Sequence, residues 1–317
     1  MRILTINTII RMARLAKKIA AVAILLIVSA SLSAKEKIAV VYPVVREPFS
    51  SIYRDFLAGI KSGYPGEVVE YPVNGIEGEK LSRELSKNDA PKAFIALGTK
   101  SLNFILASKV DKPVFAAVTK LNTRQVVAGG VLLKPGAEVY LDRLMEIAPN
   151  TSRIHVVYNP EIHRELIAQA AAYLNKSNIE FHAVAATDIR KAALGFRKIV
   201  EGASHGDAVW LISDSGLIDE SLLSLVLDAA WDKHLAVFSS NPLFVKRGAL
   251  FAIYPDNVVI GIRLGNMVEK ALSGKQKATL MSLRDVKIAF NERTGNHIGI
   301  KLSSKTRENV DLFLPEP

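Results

Sequence analysis

The chain predicts an α/β fold made of two successive units, each a parallel sheet with helices on both faces. Three observations carry this. Short, continuously apolar runs alternate with longer segments at helical spacing from residue 37 onward, and apolar runs without polar alternation mark strands buried on both sides. The alternation stops at Pro149 and begins again at Arg153. A chain of 317 residues, 49% hydrophobic, is long enough for two domains with sizeable cores.

In the first unit, "KIAVVYP" (37–43) reads as a buried strand and "SIYRDFLAGIKSG" (51–63) as a helix stopped by Gly63. A strand follows at 67–73, a charged helix at 78–88, a strand at 92–98 and a helix at 100–108. Strands at 113–119 and 126–133 lead to a helix at 136–149, ended by Pro149. In the second unit, strands at 153–159, 179–186, 207–213, 235–240 and 249–255 alternate with helices at 161–177, 188–203 and 219–234. Thr187 is the expected N-cap of the helix at 188. A helix at 257–274 and a late strand at 285–291 complete the pattern. Gly261 and Gly265 lie at helical spacing and predict a close helix contact; no dinucleotide fingerprint surrounds them.

The N-terminus reads as an export signal. Five basic residues (Arg2, Arg11, Arg14, Lys17 and Lys18) precede "IAAVAILLIV" (19–28), and small residues follow up to Ala34. The apolar core is short for a membrane span. Segment 1–34 is therefore assigned as a cleaved signal peptide, and a periplasmic location is expected. With those five charges removed, the net charge of +10 falls to +5, spread along the chain. No basic run interleaves with aromatics, so nucleic-acid binding is not expected. The absence of cysteine excludes disulfides, thiolate catalysis and cysteine zinc sites. The six histidines lack metalloprotease spacing, and neither a metal nor another cofactor is expected.

"GASHG" (202–206) fits G-x-S-x-G. A nucleophile elbow needs a strand before the serine and a helix after it. Ser204 has the reverse order, so Gly202 and Gly206 read as a helix stop and a turn, and the chain reads as no enzyme. In open parallel sheets, ligands bind beyond the carboxyl ends of strands. The residues there include Tyr42, Thr99, Thr119, Asn159, Asp214, Ser215, Phe238 and Ser239, with Ser240 and Asn241 directly after the last of them. "ALGTKS" (96–101) offers a helix start whose free amides suit a carboxylate or phosphate, with Thr99 able to cap it. Asp214 suits a ligand ammonium group or a helix cap, a role for which Asp219 competes.

The ordered segments "ALGTKSLNFIL" (96–106), "PVFAAV" (113–118), "RIHVVYNP" (153–160), "AVWLISDS" (208–215), "FVKRGALFAIYPDNVVIGI" (244–262) and "IAFNERTGNHIGIKL" (288–302) resemble the ABC-transporter substrate-binding family that includes aromatic-amino-acid-binding members. The resemblance spans nearly all of 37–302. It implies a type I periplasmic-binding-protein architecture: two Rossmann-like lobes with parallel sheets, joined by a three-crossover hinge. The first lobe would hold 35–150 plus 254–281, the second 151–253 plus 282–317. Thr99, Thr119, Asn159, Asp214, Ser215 and Ser239 match the family's cleft positions, Tyr42 and Phe238 would hold an apolar part, and the ligand would be a small polar molecule, such as an amino acid or related compound. The implied partners are a membrane permease and its ATPase; the alternative is a sensor that presents its closed form to a membrane signalling protein. A monomer is expected. One departure stands out. The family's Asp-Pro after the fourth strand is missing, and Gly129-Gly130 replaces its Thr-Gly, which points to a different ligand or weaker binding.

Overall fold

In the computed structural model, the described residues are 36–47, 49–73, 90–122, 125–212 and 216–315. The expected signal peptide and the expected helix 78–88 lie outside them. So do Asp214 and Ser215.

Two separate sheets form. The first contains β1 (Lys37–Pro43), β2 (Glu67–Val73), β3 (Ala93–Leu97), β4 (Val114–Val118), β5 (Gly129–Pro135) and a later strand, β11 (Leu280–Leu283). Its order is β11-β5-β4-β3-β1-β2, and every pairing is parallel. The central strands β3 and β4 are buried along their whole length, as continuous apolar runs require. Helices α1 (Phe49–Gly63) and α8 (Asn257–Leu272) cover one face, and α2 (Thr99–Ala107) covers the other.

Helices α1 and α8 meet backbone to backbone. A Cβ at Gly261 would lie 2.4 Å from the Phe56 carbonyl oxygen, and one at Gly59 would lie 2.1 Å from that of Val258. Only glycine allows this approach. It anchors α8, which arrives late in the sequence, onto the first sheet.

The second sheet has the order β13-β12-β10-β9-β8-β6-β7. Its strands are β6 (Arg153–Tyr158), β7 (Glu180–Ala185), β8 (Asp207–Leu211), β9 (Ala236–Ser239), β10 (Phe251–Pro255), β12 (Val286–Asn291) and β13 (Leu312–Leu314). Helices α3 (Ala137–Ile147) and α4 (Pro160–Leu174) pack on one face; α5 (Ile189–Gly202), α6 (Glu220–Asp232) and α7 (Pro242–Lys246) pack on the other. Short helices α9 (Glu292–His297) and α10 (Ser304–Glu308) lie near the C-terminus.

The chain passes between sheets three times, after β5, β10 and β11. β10 leaves the second sheet at Pro255, and β12 re-enters it at Val286, which pairs with Pro255. A strand re-entering at the end its neighbour left must run the opposite way, so β12 is antiparallel to β10. The sequence reading carried the first lobe to residue 150. Instead Tyr140, Leu141 and Leu144 of α3 are buried with Trp210 and Phe238 of the second sheet, so the first crossing comes directly after Pro135. One cap differs from expectation: Asp188, not Thr187, caps α5 by accepting from the Lys191 amide at 2.9 Å. Asp219, the competing candidate, caps α6 by accepting from the Leu222 amide at 2.8 Å.

Candidate functional site

Strands β4 and β5 of the first sheet and β8 and β10 of the second end toward one another, and a cleft of ≈ 730 Å³ lies between them. The first sheet contributes Thr119, Lys120, Leu132 and Leu133, with Leu280 and Ser282 from β11. The other wall is a stripe of α4, Ile162, Glu165, Leu166 and Gln169, at i, i+3, i+4 and i+7. Trp210, Ile212, Ser240 and Ile253 close the floor. Ile162 is 52% exposed and Leu280 41%, so both apolar walls stand open to solvent. Charges of opposite sign are divided between the units: Lys120 and Lys134 come from the first, Glu138 and Glu165 from helices of the second. This is the composition of a small-molecule site, apolar with a few convergent polar groups.

Of the eight strand-end residues, Thr119 lines this cleft and is exposed. Tyr42 and Thr99 stand at the cleft-side ends of β1 and β3 but outside the cavity lining. Thr99 is not a cap: the N-cap of α2 is Gly98, at φ 86°, with no side-chain cap bond. Asn159 is engaged as the N-cap of α4, its Oδ1 accepting from the Glu161 amide at 3.0 Å. Phe238 is fully buried, its ring 5.5 Å from Trp210 and 5.4 Å from Phe251. It sits one residue inside the strand end, on the face covered by α3 and α4, and lies outside the cavity lining. Ser239 is also fully buried; its hydroxyl donates to the Leu211 carbonyl at 2.8 Å and accepts from the Asn241 amide at 3.2 Å. That hydroxyl ties β8 to β9, and Ser240 is the serine that reaches the cleft.

The sequence reading passed over Tyr53. Its ring stacks on Tyr42 with centroids 6.0 Å apart, and its hydroxyl lies 3.7 Å from where a Cβ on Gly98 would stand. The Tyr42 hydroxyl donates to Glu70 at 3.0 Å, and Lys61 donates to the other Glu70 oxygen at 2.6 Å. Burial and the adjacent Glu70 push the Tyr42 hydroxyl pKa up, and burial does the same for Tyr53. Both rings stay neutral and flat beside the start of α2. There the amides of Thr99, Lys100 and Ser101 open the helix, and the Ser101 hydroxyl is fully buried with no hydrogen-bond partner among the described residues. A helix start of this kind favours an anionic group.

Ser204 lies at the opposite end of the second sheet. Its amide donates to Asp207 at 3.0 Å, and its hydroxyl accepts from Arg153 at 3.1 Å. His155 contacts Asp207 rather than Ser204, at 3.3 Å. The group locks a turn and forms no nucleophile–base pair. Among the described residues, no cluster of three or more His, Asp or Glu suits a metal ion, and no helix is long and apolar enough to cross a membrane.

A family model described as ABC transporter substrate binding protein matches residues 37–309. A search of curated proteins finds no match. Among solved structures, the ligand-free, open structure of a substrate-binding protein with adhesive properties from Clostridium difficile shares 18% identity at a TM-score of 0.68, covering 89% of this chain and all 100% of that one. A Streptococcus pneumonia protein in complex with L-Trp shares 16% identity at a TM-score of 0.54, covering 88% and 100%. A conserved domain protein from Vibrio cholerae shares 19% at 0.53, covering 88% and 99%. Two parallel-dominated sheets with a cleft between them match this periplasmic-binding-protein fold, and the chain belongs to the ABC transporter substrate-binding protein family.

Proposed function

We propose that this protein is the extracytoplasmic solute-binding component of an ABC transporter. It captures a small polar molecule, an amino acid or a related compound, between its two lobes and delivers it to a membrane permease with its ATPase. The observation that carries this reading is a cleft lined from both lobes and joined by three crossings. A solute touching both walls stabilises the closed arrangement, because the open one offers it only one wall at a time. The Tyr42–Tyr53 rings and the start of α2 suit a flat apolar part and an acid group, and Asp214 is assigned the cationic group. Segment 1–34 directs export. The neighbour solved with L-Trp is consistent with this solute class.

Native mass spectrometry of the protein purified from its own periplasm will identify the bound solute by mass. Re-addition of that solute at about 100 times its Kd stabilises the fold by about 2.7 kcal/mol, a rise of several degrees in melting temperature. A protein that carries nothing, and whose melting no amino acid or small carboxylate shifts, overturns the reading.

A further inference from the structure

At the base of the second lobe, where β6, β8 and β9 begin, a separate cavity of ≈ 400 Å³ opens away from the cleft. A column of rings reaches this cavity and ends in its wall with His234 and His205. Trp231 and His297 stack at 3.5 Å and 4°, His297 and His234 at 4.6 Å, and His234 and His205 at 6.0 Å and 25°. The Arg293 guanidinium covers the Trp231 end at 5.4 Å. The other end stops at His205, which is exposed and lines the cavity with His234. The floor is apolar and buried: Ala148, Ala236 and Ile298.

The lining carries one acid and one lysine. Its single acid, Asp207, is 1% exposed and held by Arg153, His155 and the Ser204 amide. Lys301 stands exposed at the mouth with no ion pair among the described residues. The open ring face of His205, an apolar floor and the Lys301 cation select a flat ligand with an acid group.

We propose that this cavity is a second binding site, for a planar aromatic carboxylate that stacks on the outer face of His205, the exposed end of the ring column, and sets its acid group against Lys301. The site is independent of the cleft and of its proposed role.

The test is a titration of the full exported chain with indole-3-carboxylate, read on the imidazole signals by NMR. Six histidines allow assignment by single substitutions. His163 lines the cleft and reports binding there, whereas His205 and His234 report this site. The expected result is a saturable shift of the His205 and His234 signals with a Kd of about 1 mM or tighter. Lys301→Glu and His205→Ala, both at exposed positions, weaken it by about fivefold or more, roughly 1 kcal/mol, without changing the melting temperature. Benzamidine, equally flat but cationic, leaves the signals in place. The proposal is overturned if only the His163 signal moves, if benzamidine acts like the carboxylate, or if Lys301→Glu changes nothing.

Discussion

Removing the Trp210 side chain tests both the packing of the second lobe and the floor of the cleft. Trp210 is 1% exposed, with ring centroids 5.5 Å from Phe238 and 5.1 Å from Tyr140. A buried Trp→Ala change costs about 3–5 kcal/mol, within which each aromatic pair accounts for about 0.5–1.5. Because Trp210 also lines the open cleft, water can enter the space left behind, which places the cost near the lower end, about 3 kcal/mol. At about 2–4 °C per kcal/mol for a unit of 150–250 residues, melting of the second lobe falls by about 6–12 °C. Trp210→Phe keeps a ring against Phe238 and loses less than half of that. Calorimetry is the assay, since lobes with separate cores can melt as separate transitions. The reasoning is refuted if Trp210→Ala lowers stability by less than about 1 kcal/mol, or if a transition assigned to the first lobe moves equally.

Other outcomes follow from single residues. Gly261→Ala forces a Cβ to within 2.4 Å of the Phe56 carbonyl, drives α8 off α1 and yields insoluble or strongly destabilised protein; Gly202→Ala, with nothing within 4 Å, is the benign control. Lys120→Glu places an acid on the first wall facing Glu165, and isothermal titration will show affinity for an acidic solute reduced about tenfold, or about 1.4 kcal/mol. Acid sensitivity has two sources. Burial holds the His155 imidazole below its usual 6.5, against the pull of Asp207, so the unfolded chain binds the extra proton first and stability falls as pH drops below 6.5. Burial opposes ionisation of Asp207, yet the Ser204 amide, Arg153 and His155 together keep its carboxyl below 3.8, so its stabilisation is present above 3.8 and is lost as pH falls further. Denaturant titrations across pH 3–8 will show His155→Gln flattening the upper window and Asp207→Asn the lower one.

The fold was largely legible because its strands are buried on both faces. "AFIAL" and "VFAAV" have no polar residue to break the run, and they became the fully buried β3 and β4. Gly261 and Gly265 also marked a helix contact that the backbone distances bear out. Short edge strands were not legible. β11 and β13 have only four and three residues, too few for periodicity or apolar content to set them apart. The direction of β12 depends on where the chain re-enters the sheet, which local pattern does not encode.

The site was harder to read. Strand ends point to the side of each sheet on which the cleft lies, but a shift of one or two residues separates the cleft-facing Ser240 from the buried Ser239 and Phe238. One signal was present and passed over. In α4 the stripe Ile162, Glu165, Leu166, Gln169 runs beside the buried stripe His163, Ile167, Ala170, Leu174. A second partly apolar stripe beside a complete buried one indicates that a helix faces something besides its own sheet.

The central claim is that two lobes shut around a solute. The chain has no cysteine, so Phe49→Cys and Leu243→Cys place one spin label on each lobe, at positions 62% and 64% exposed. Pulsed electron resonance then reads the separation across the cleft. The account predicts a distance that shortens when the solute recovered from the periplasm is added. Saturating, tight binding of that solute with an unchanged distance distribution would contradict it.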